Sequence, residues 1–180
     1  MTLGELKPLV QIPLESGAYL RPVKASDITN RYVDGLNDPS INRFMGRSRE
    51  RRQTLETVTA YLEENWRNPD DVLFGIFIEE GLRGTVRLHD IRQTEKTAIV
   101  GILIFDKNYW QKGWARRSIS AVIGFAKHEL GITTFKAGMT AENAASRNTF
   151  ASLGFYHRID LDRIDSQNVA LEYWQLDITS

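Results

Sequence analysis

The chain has 180 residues, with 23 basic and 23 acidic side chains, three histidines and no cysteine. This length fits one domain with a sizeable core, and the balanced charge gives no field that favours nucleic acid or an acidic membrane. The lack of cysteine excludes disulfides and thiolate metal sites. No apolar run reaches the roughly 18 residues of a spanning helix, and the first residues lack a signal-peptide core. We expect a cytoplasmic protein without a metal.

The first part of the chain predicts one strand followed by two helices. Tyr19–Val23 has the pattern of a short strand, Ser26 and Asp27 offer a helix cap, and helical periodicity continues to about Leu36. A second helix is predicted over Thr54–Trp66, with apolar residues at helical spacing. The polar stretch Arg47–Arg52 between them is either a solvated loop or a wall of a substrate cleft.

The rest of the chain predicts a strand meander and then alternating helices and strands. Helix Ala115–Leu130 has the clearest apolar stripe, and Gly131 ends it. A second helix, Ala144–Leu153, ends at Gly154. The predicted strands are Val72–Ile78, Arg83–Ile91, Thr97–Phe105, Ile132–Met139, Phe155–Ile159 and Val169–Leu176.

This order of elements predicts a mixed α/β fold rather than an all-parallel sheet. We expect a mostly antiparallel sheet of about seven strands, flanked by about four helices. The strand–helix–strand unit over Thr97–Met139 should be a right-handed parallel crossover.

The most informative segment joins an apolar strand directly to the clearest helix. The turn Gln111-Lys112-Gly113 stands between them, and Lys112, Arg116 and Arg117 add positive charge. Amide groups at a helix N-terminus lack partners within the helix, and the helix dipole adds partial positive charge. The segment therefore predicts an anion site that suits a pyrophosphate.

Two motifs on these elements resemble those of the GNAT superfamily of acyl-CoA-dependent N-acetyltransferases, and of its RimJ/RimL-like group in particular. The residues Trp110–Ala115 match the superfamily pattern Arg/Gln-x-x-Gly-x-Gly/Ala, although Trp110 departs from its first position. The run Asn143-Ala144-Ala145-Ser146, followed by Gly154-Phe155, is similar to the family's Asn-x-x-Ser helix. The resemblance implies one acetyltransferase domain over residues 1–180, with residues 1–18 as an extension.

The resemblance also implies where acetyl-CoA binds as co-substrate. Pantetheine would lie between strand Ile102–Phe105 and its splayed parallel neighbour Phe135–Met139, and loop amides would hold the pyrophosphate. At Gly113 a side chain would either hold the backbone away from a phosphate or prevent the required φ. The implied cofactor-binding residues are Ile104, Phe105, Gln111, Lys112, Gly113, Trp114, Ala115, Arg116 and Asn143.

The catalytic groups follow less directly from the resemblance. Ser146 is the implied catalytic residue, which would protonate the departing thiolate, because Phe150 stands where other branches carry a tyrosine. The general base stays open, since relatives often carry Glu at the position of Ile99. His89, Asp90, Glu95 and Glu172 are candidates, and positioning alone can also supply several kcal/mol.

The acceptor side is expected in the N-terminal half, especially over Ile41–Glu50. The segment Asn37–Phe44 resembles relatives that acetylate nucleotide-linked amino sugars, so we expect a small-molecule amine. Arg43, Phe44, Arg47 and Arg49 would supply its polar and aromatic contacts. Protein N-termini, polyamines and antibiotics are alternatives, as is a non-catalytic acyl-CoA-binding module. We expect no nucleic acid or membrane partner, and a monomer or a homodimer.

Overall fold

The computed structural model describes residues 2–45 and 51–179. Its described part contains one sheet of nine strands in the order β1-β2-β3-β4-β5-β6-β9-β7, with β8 also pairing with β9. The strands are β1 Ile12–Pro13, β2 Tyr19–Pro22, β3 Val72–Ile78, β4 Gly81–Arg92, β5 Thr97–Ile104, β6 Thr134–Thr140, β7 Tyr156–His157, β8 Arg163–Ile164 and β9 Ala170–Asp177. The α-helices are α1 Leu3–Leu6, α2 Asn30–Asn37, α3 Pro39–Asn42, α4 Leu55–Arg67, α5 Trp114–Leu130 and α6 Ala144–Ser152.

The mixed, mostly antiparallel architecture predicted from the sequence is confirmed. The β5–β6 pair is parallel, and every other strand pair between described residues is antiparallel. The elements that the sequence pattern missed, β1, β8, α1 and α3, have only two to four residues each. Such short elements leave no readable periodicity.

The predicted cap of the first long helix is wrong. Thr29, not Ser26 or Asp27, caps α2 through its hydroxyl. The Asp27 carboxylate is occupied elsewhere, because it accepts two hydrogen bonds of 2.7 Å from the Arg21 guanidinium and another from the Lys24 amide. Asp27 therefore closes a short 3₁₀ turn before the helix begins.

The sheet is covered by helices on both faces. Its main core contains Ile119, Val122 and Ala126 of α5, and this confirms the apolar stripe read from the sequence. On the opposite face, Leu62 of α4 packs against Leu73 of β3. Strand β3 is buried along its whole length because both of its faces are covered. Among the described residues, no helix has both the length and the apolar character needed to cross a membrane.

Strands β5 and β6 part after three residue pairs. Their parallel pairing joins Thr97–Ile99 to Thr134–Lys136 and ends there. Each strand stays paired with its outer neighbour, β5 with β4 to Ile104 and β6 with β9 to Thr140. The splayed pair expected from the sequence is therefore confirmed. We call the space between residues 100–104 and 137–140 the strand gap; the backbone edges that face it have no ladder partner.

Candidate active site

The loop that follows β5 ends in an uncapped helix N-terminus. Gln111 and Gly113 both have left-handed backbone angles, with φ of 58° and 77°. Gly113 is the N-cap of α5 and has no side chain that could accept a hydrogen bond from the first turn. The first amides of α5 therefore remain available to an external acceptor, which suits an anion.

The structure distinguishes the two reasons offered for a glycine at position 113. A Cβ built there would lie 3.8 Å from the Arg117 guanidinium, an ordinary contact distance. Crowding by the protein therefore does not require glycine. The φ of 77° does, because residues with a side chain rarely adopt it.

Arg117 stabilises this loop from within helix α5. Its Nη2 donates a 2.7 Å hydrogen bond to the Lys112 carbonyl, and its guanidinium lies 4.3 Å from the centre of the Trp114 ring. Lys112 and Arg116 are exposed beside it. Arg116 and Arg117 also line an open pocket of about 580 Å³ against Pro13–Glu15 and Leu153. Two cations thus border a pocket next to the loop.

Trp110 stabilises the beginning of the same loop. Its indole N–H donates a 2.8 Å hydrogen bond to the Ile104 carbonyl, and the Phe105 N–H donates to the Arg83 carbonyl at 3.1 Å. The Ile104 carbonyl and the Phe105 N–H are therefore occupied within the protein. Asp106 accepts hydrogen bonds from the Arg31 and Arg83 guanidinium groups and fixes the loop against α2 and β4.

Asn143 and Ser146 lie together at the N-terminus of α6, just beyond the end of β6. The Asn143 side-chain oxygen accepts a hydrogen bond from the Ser146 amide at 3.1 Å, so Asn143 is the N-cap of the helix. The Asn143 amide nitrogen and the Ser146 hydroxyl have no hydrogen-bond partner among the described residues. Both groups are therefore free to bind a ligand that reaches the N-terminus of α6.

We predict that Asn143→Asp will weaken acetyl-CoA binding by about tenfold and leave the stability of the fold nearly unchanged. Aspartate keeps the capping oxygen but removes the amide donor and adds a negative charge near the ligand. Calorimetric titration of both proteins with acetyl-CoA measures the effect. Unchanged affinity would limit Asn143 to its capping role.

Phe150 has a purely structural environment. Its side chain is only 2% exposed and packs edge-to-face on Phe155 with ring centres 5.0 Å apart. The position where other branches of the family carry a tyrosine is therefore part of the core in this chain.

The four candidate bases have different surroundings. Glu172 accepts hydrogen bonds from Arg147 at 3.1 Å and from the Trp174 indole at 3.2 Å. Asp90 and Glu95 both lie within ion-pair distance of exposed Arg92. His89 is half-buried and has no hydrogen-bond partner among the described residues, and burial, followed by the charge of Arg87, lowers the pKa of its imidazole.

In the predicted acceptor segment, some residues bind other parts of the protein and one aromatic residue, Phe44, lines a cavity. The Asn37 amide forms two hydrogen bonds with the backbone of Gln53, and the Asp38 carboxylate caps α3 and binds Lys107 at 2.6 Å. Phe44 instead lines a cavity of about 250 Å³. Arg43 stacks on Phe44, whereas Arg47, Arg49 and Glu50 lie outside the described residues.

The same cavity borders the open end of β6. Gly138 and Thr140 of β6 and Leu171 and Tyr173 of β9 form its wall opposite Phe44. The Thr140 hydroxyl is buried there without a hydrogen-bond partner. The cavity adjoins the separated end of β6, so it is a candidate acceptor pocket. Within residues 2–45 and 51–179, no group of three metal-ligating side chains could hold a metal ion.

Comparisons with known proteins agree with this geometry. The family described as "Acetyltransferase (GNAT) domain" matches residues 18–156. A curated relative, the "Probable N-acetyltransferase YjcK" of Bacillus subtilis (strain 168), is 29% identical over 146 residues, which cover 77% of this chain and 80% of the relative.

Solved structures show the same fold at lower sequence identity. A RimL ribosomal L7/L12 alpha-N-protein acetyltransferase in complex with coenzyme A has a TM-score of 0.82 and 14% identity, covering 94% of this chain and 98% of that one. An N-acetyltransferase from Staphylococcus aureus Mu50 has a TM-score of 0.72 and 24% identity, covering 91% and 100%.

Proposed function

The chain belongs to the GNAT family of acetyltransferases and is an acyltransferase enzyme, and from this premise we propose that it transfers the acetyl group of acetyl-CoA to a primary amine of a small molecule. The amine attacks the thioester directly, without a covalent enzyme intermediate. The single observation that carries this proposal is the strand gap, which opens beside an uncapped helix N-terminus at Gly113.

The residues present fit acetyl-CoA at both of its recognisable parts. The free amides at the start of α5 suit the pyrophosphate, and Lys112 and Arg116 add exposed positive charge beside them. The unpaired backbone edges of the strand gap suit the two amide groups of pantetheine, which bind there as a short additional strand. This arrangement directs the thioester toward Asn143 and Ser146.

The chemistry then depends on the alignment of the amine with the thioester and on three groups: the neutral amine, the oxyanion and the departing thiolate. The neutral amine attacks the thioester carbonyl, and a backbone N–H of the strand gap stabilises the oxyanion. As the carbon–sulfur bond breaks, the Ser146 hydroxyl gives its proton to the thiolate. Holding the amine and the thioester together supplies several kcal/mol by itself.

The acceptor pocket between Phe44, Thr140 and Tyr173 favours a small amine. Its volume of about 250 Å³ lies just below the usual range for small-ligand sites, and its lining combines the aromatic residues Phe44 and Tyr173 with the polar residues Asp165 and Gln167. An amino sugar matches such a lining, and the nucleotide of a nucleotide-linked one would lie outside the cavity. A protein N-terminus is the second candidate, because solved structures with this fold include RimL-type protein acetyltransferases.

A CoA-release assay with different amines tests the acceptor class. UDP- and TDP-amino sugars and simple amino sugars should release CoA faster than spermidine or short peptides at equal concentration. Phe44→Ala should raise KM for the preferred amine with little change in acetyl-CoA affinity. Turnover of peptides or spermidine with every amino sugar inert would contradict the small-molecule proposal and leave the acetyltransferase assignment intact.

A further inference from the structure

We propose that His89 is the general base of this enzyme, which takes the proton from the ammonium form of the acceptor before attack. The proposal rests on the proposed function, because it places the thioester in the strand gap. Its basis is the position of His89 on β4, directly across from the residue at which β5 and β6 separate.

The register of the sheet places His89 level with the closed end of the strand gap. His89 pairs with Ile99 of β5, and Ile99 forms the last of the three residue pairs that join β5 to β6. Two residues along the same face, Arg87 pairs with Gly101, which lies within the separated part of β5. An imidazole at this position lies one strand away from the closed end of the gap, where β5 and β6 begin to separate.

His89 also lies on the face of the sheet opposite helix α5, from which we expect the amine to enter. Side chains alternate along a strand, and Val86 and Leu88 fill the main core on the α5 side of β4. His89 therefore lies on the opposite face, together with Ile99 and Gly101. A Cβ built at Gly101 would meet no atom within 4 Å, so there is open space on that face opposite Arg87 and diagonal to His89.

A β-bulge directly follows His89 in strand β4. The β4–β5 register shifts immediately after His89, and Asp90 has a left-handed φ of 48°. Bulges of this kind re-aim side chains and often lie beside active sites. The ring nitrogens of His89 have no hydrogen-bond partner among the described residues, so a lone pair is available to the substrate.

The charges around His89 favour its neutral form, which is the form that accepts a proton. Burial is the main cause of its lowered pKa and the Arg87 guanidinium is the second, while Asp71 and Asp90 oppose them. Arg87 and Asp71 pair with each other and offset one another, so burial remains the main cause. The charged and titratable groups around this region come from four elements and a turn: Arg87, Asp90 and Arg92 of β4, Glu95 of the turn after it, Asp71 before β3, Tyr61 and Glu64 of α4, and Lys136 of β6.

The proton and electron balance of the step is complete without another reagent. The neutral imidazole removes one proton from the ammonium group, and the freed nitrogen lone pair forms the new C–N bond. The C–S bond then breaks and its electron pair stays on sulfur. A second proton passes from the new amide nitrogen to that sulfur through Ser146, and the imidazolium releases its proton to water.

The first experiment compares His89→Gln with the wild type in turnover and in pH dependence. We expect kcat to fall by about a hundredfold, within the range for loss of a general base, while acetyl-CoA affinity stays within about twofold. In the wild type kcat/KM should fall as the pH drops below the lowered pKa of His89. That limb should vanish in the variant, whose rate should rise toward the pKa of the amine. His128→Gln, at an exposed position of α5, is the control.

Either of two results would overturn the proposal: the same pH limb in His89→Gln, or loss of acetyl-CoA binding in that variant. A second readout does not depend on turnover. In an NMR titration with CoA, the His89 ring signals should shift and those of His128 should not. Unmoved His89 signals would also overturn the proposal. CoA binding without turnover of any amine would contradict the proposed function instead.

Discussion

Gly113→Val should abolish measurable acetyl-CoA binding, with a rise in Kd of at least about a hundredfold, although the protein still folds. The φ of Gly113 is 77°, in the left-handed region, which costs a residue with a side chain about 1–2 kcal/mol. A β-branched valine relieves that strain by turning the 111–113 backbone. The turn then directs the first amides of α5 away from the pyrophosphate. Calorimetric titration with acetyl-CoA measures the change.

Helix α5 offers a matched control at its other end. Gly131 has a φ of 70° and open space around its Cβ position, so Gly131→Val introduces the same backbone strain about 25 Å away. Both variants should lose similar thermal stability, and only Gly113→Val should lose acetyl-CoA. Equal affinities in the two variants would show that the loop has only a structural role.

Ser146→Ala should lower kcat by about a hundredfold while acetyl-CoA binding changes by less than about threefold. The Ser146 hydroxyl has no partner among the described residues, whereas its amide is held by Asn143. Removing the hydroxyl therefore leaves the helix cap intact. A proton donated only as the C–S bond breaks stabilises the transition state alone, so its loss appears in turnover.

Ser152→Ala is the matched control for this helix. Ser152 is exposed, and its hydroxyl donates to the Thr149 carbonyl at 2.7 Å, away from the N-terminus of α6. That variant should keep wild-type kcat. Wild-type turnover in Ser146→Ala as well would assign the thiolate proton to water rather than to the serine.

Local patterns predicted the elements that build the site. The apolar stripe of α5, the strand before it and the glycine at its N-cap are all encoded within about 30 consecutive residues. Periodicity and turn chemistry are local properties, so the sequence was sufficient there. Helix α6 was likewise predicted locally, and Asn143 caps it from the position directly before its first residue.

Contacts between distant residues were not predictable in this way. The indole of Trp110 bonds to Ile104, Asp38 pairs with Lys107, and Phe44 reaches the wall formed by β6 and β9. Each contact depends on packing between separate elements. Trp110, which stands where the family pattern has Arg or Gln, therefore stabilises the loop through its hydrogen bond to Ile104.

The position of His89 is the clearest case of a feature that local sequence patterns could not predict. In the sequence it was one of four equivalent candidates for the base. His89 lies opposite Ile99 because a bulge at Asp90 shifts the β4–β5 register, and no local sequence pattern predicts that bulge. The ion pair between Glu172 of β9 and Arg147 of α6 likewise depends on packing between separate elements.

Titration calorimetry with acetyl-CoA in the presence of EDTA tests the central proposal most directly. The wild-type protein should bind one acetyl-CoA per chain with measurable heat and a raised melting temperature, because the free amides of α5 and the strand gap are already formed. EDTA should not change the result. No heat and no thermal shift at millimolar acetyl-CoA would contradict the assignment of this site.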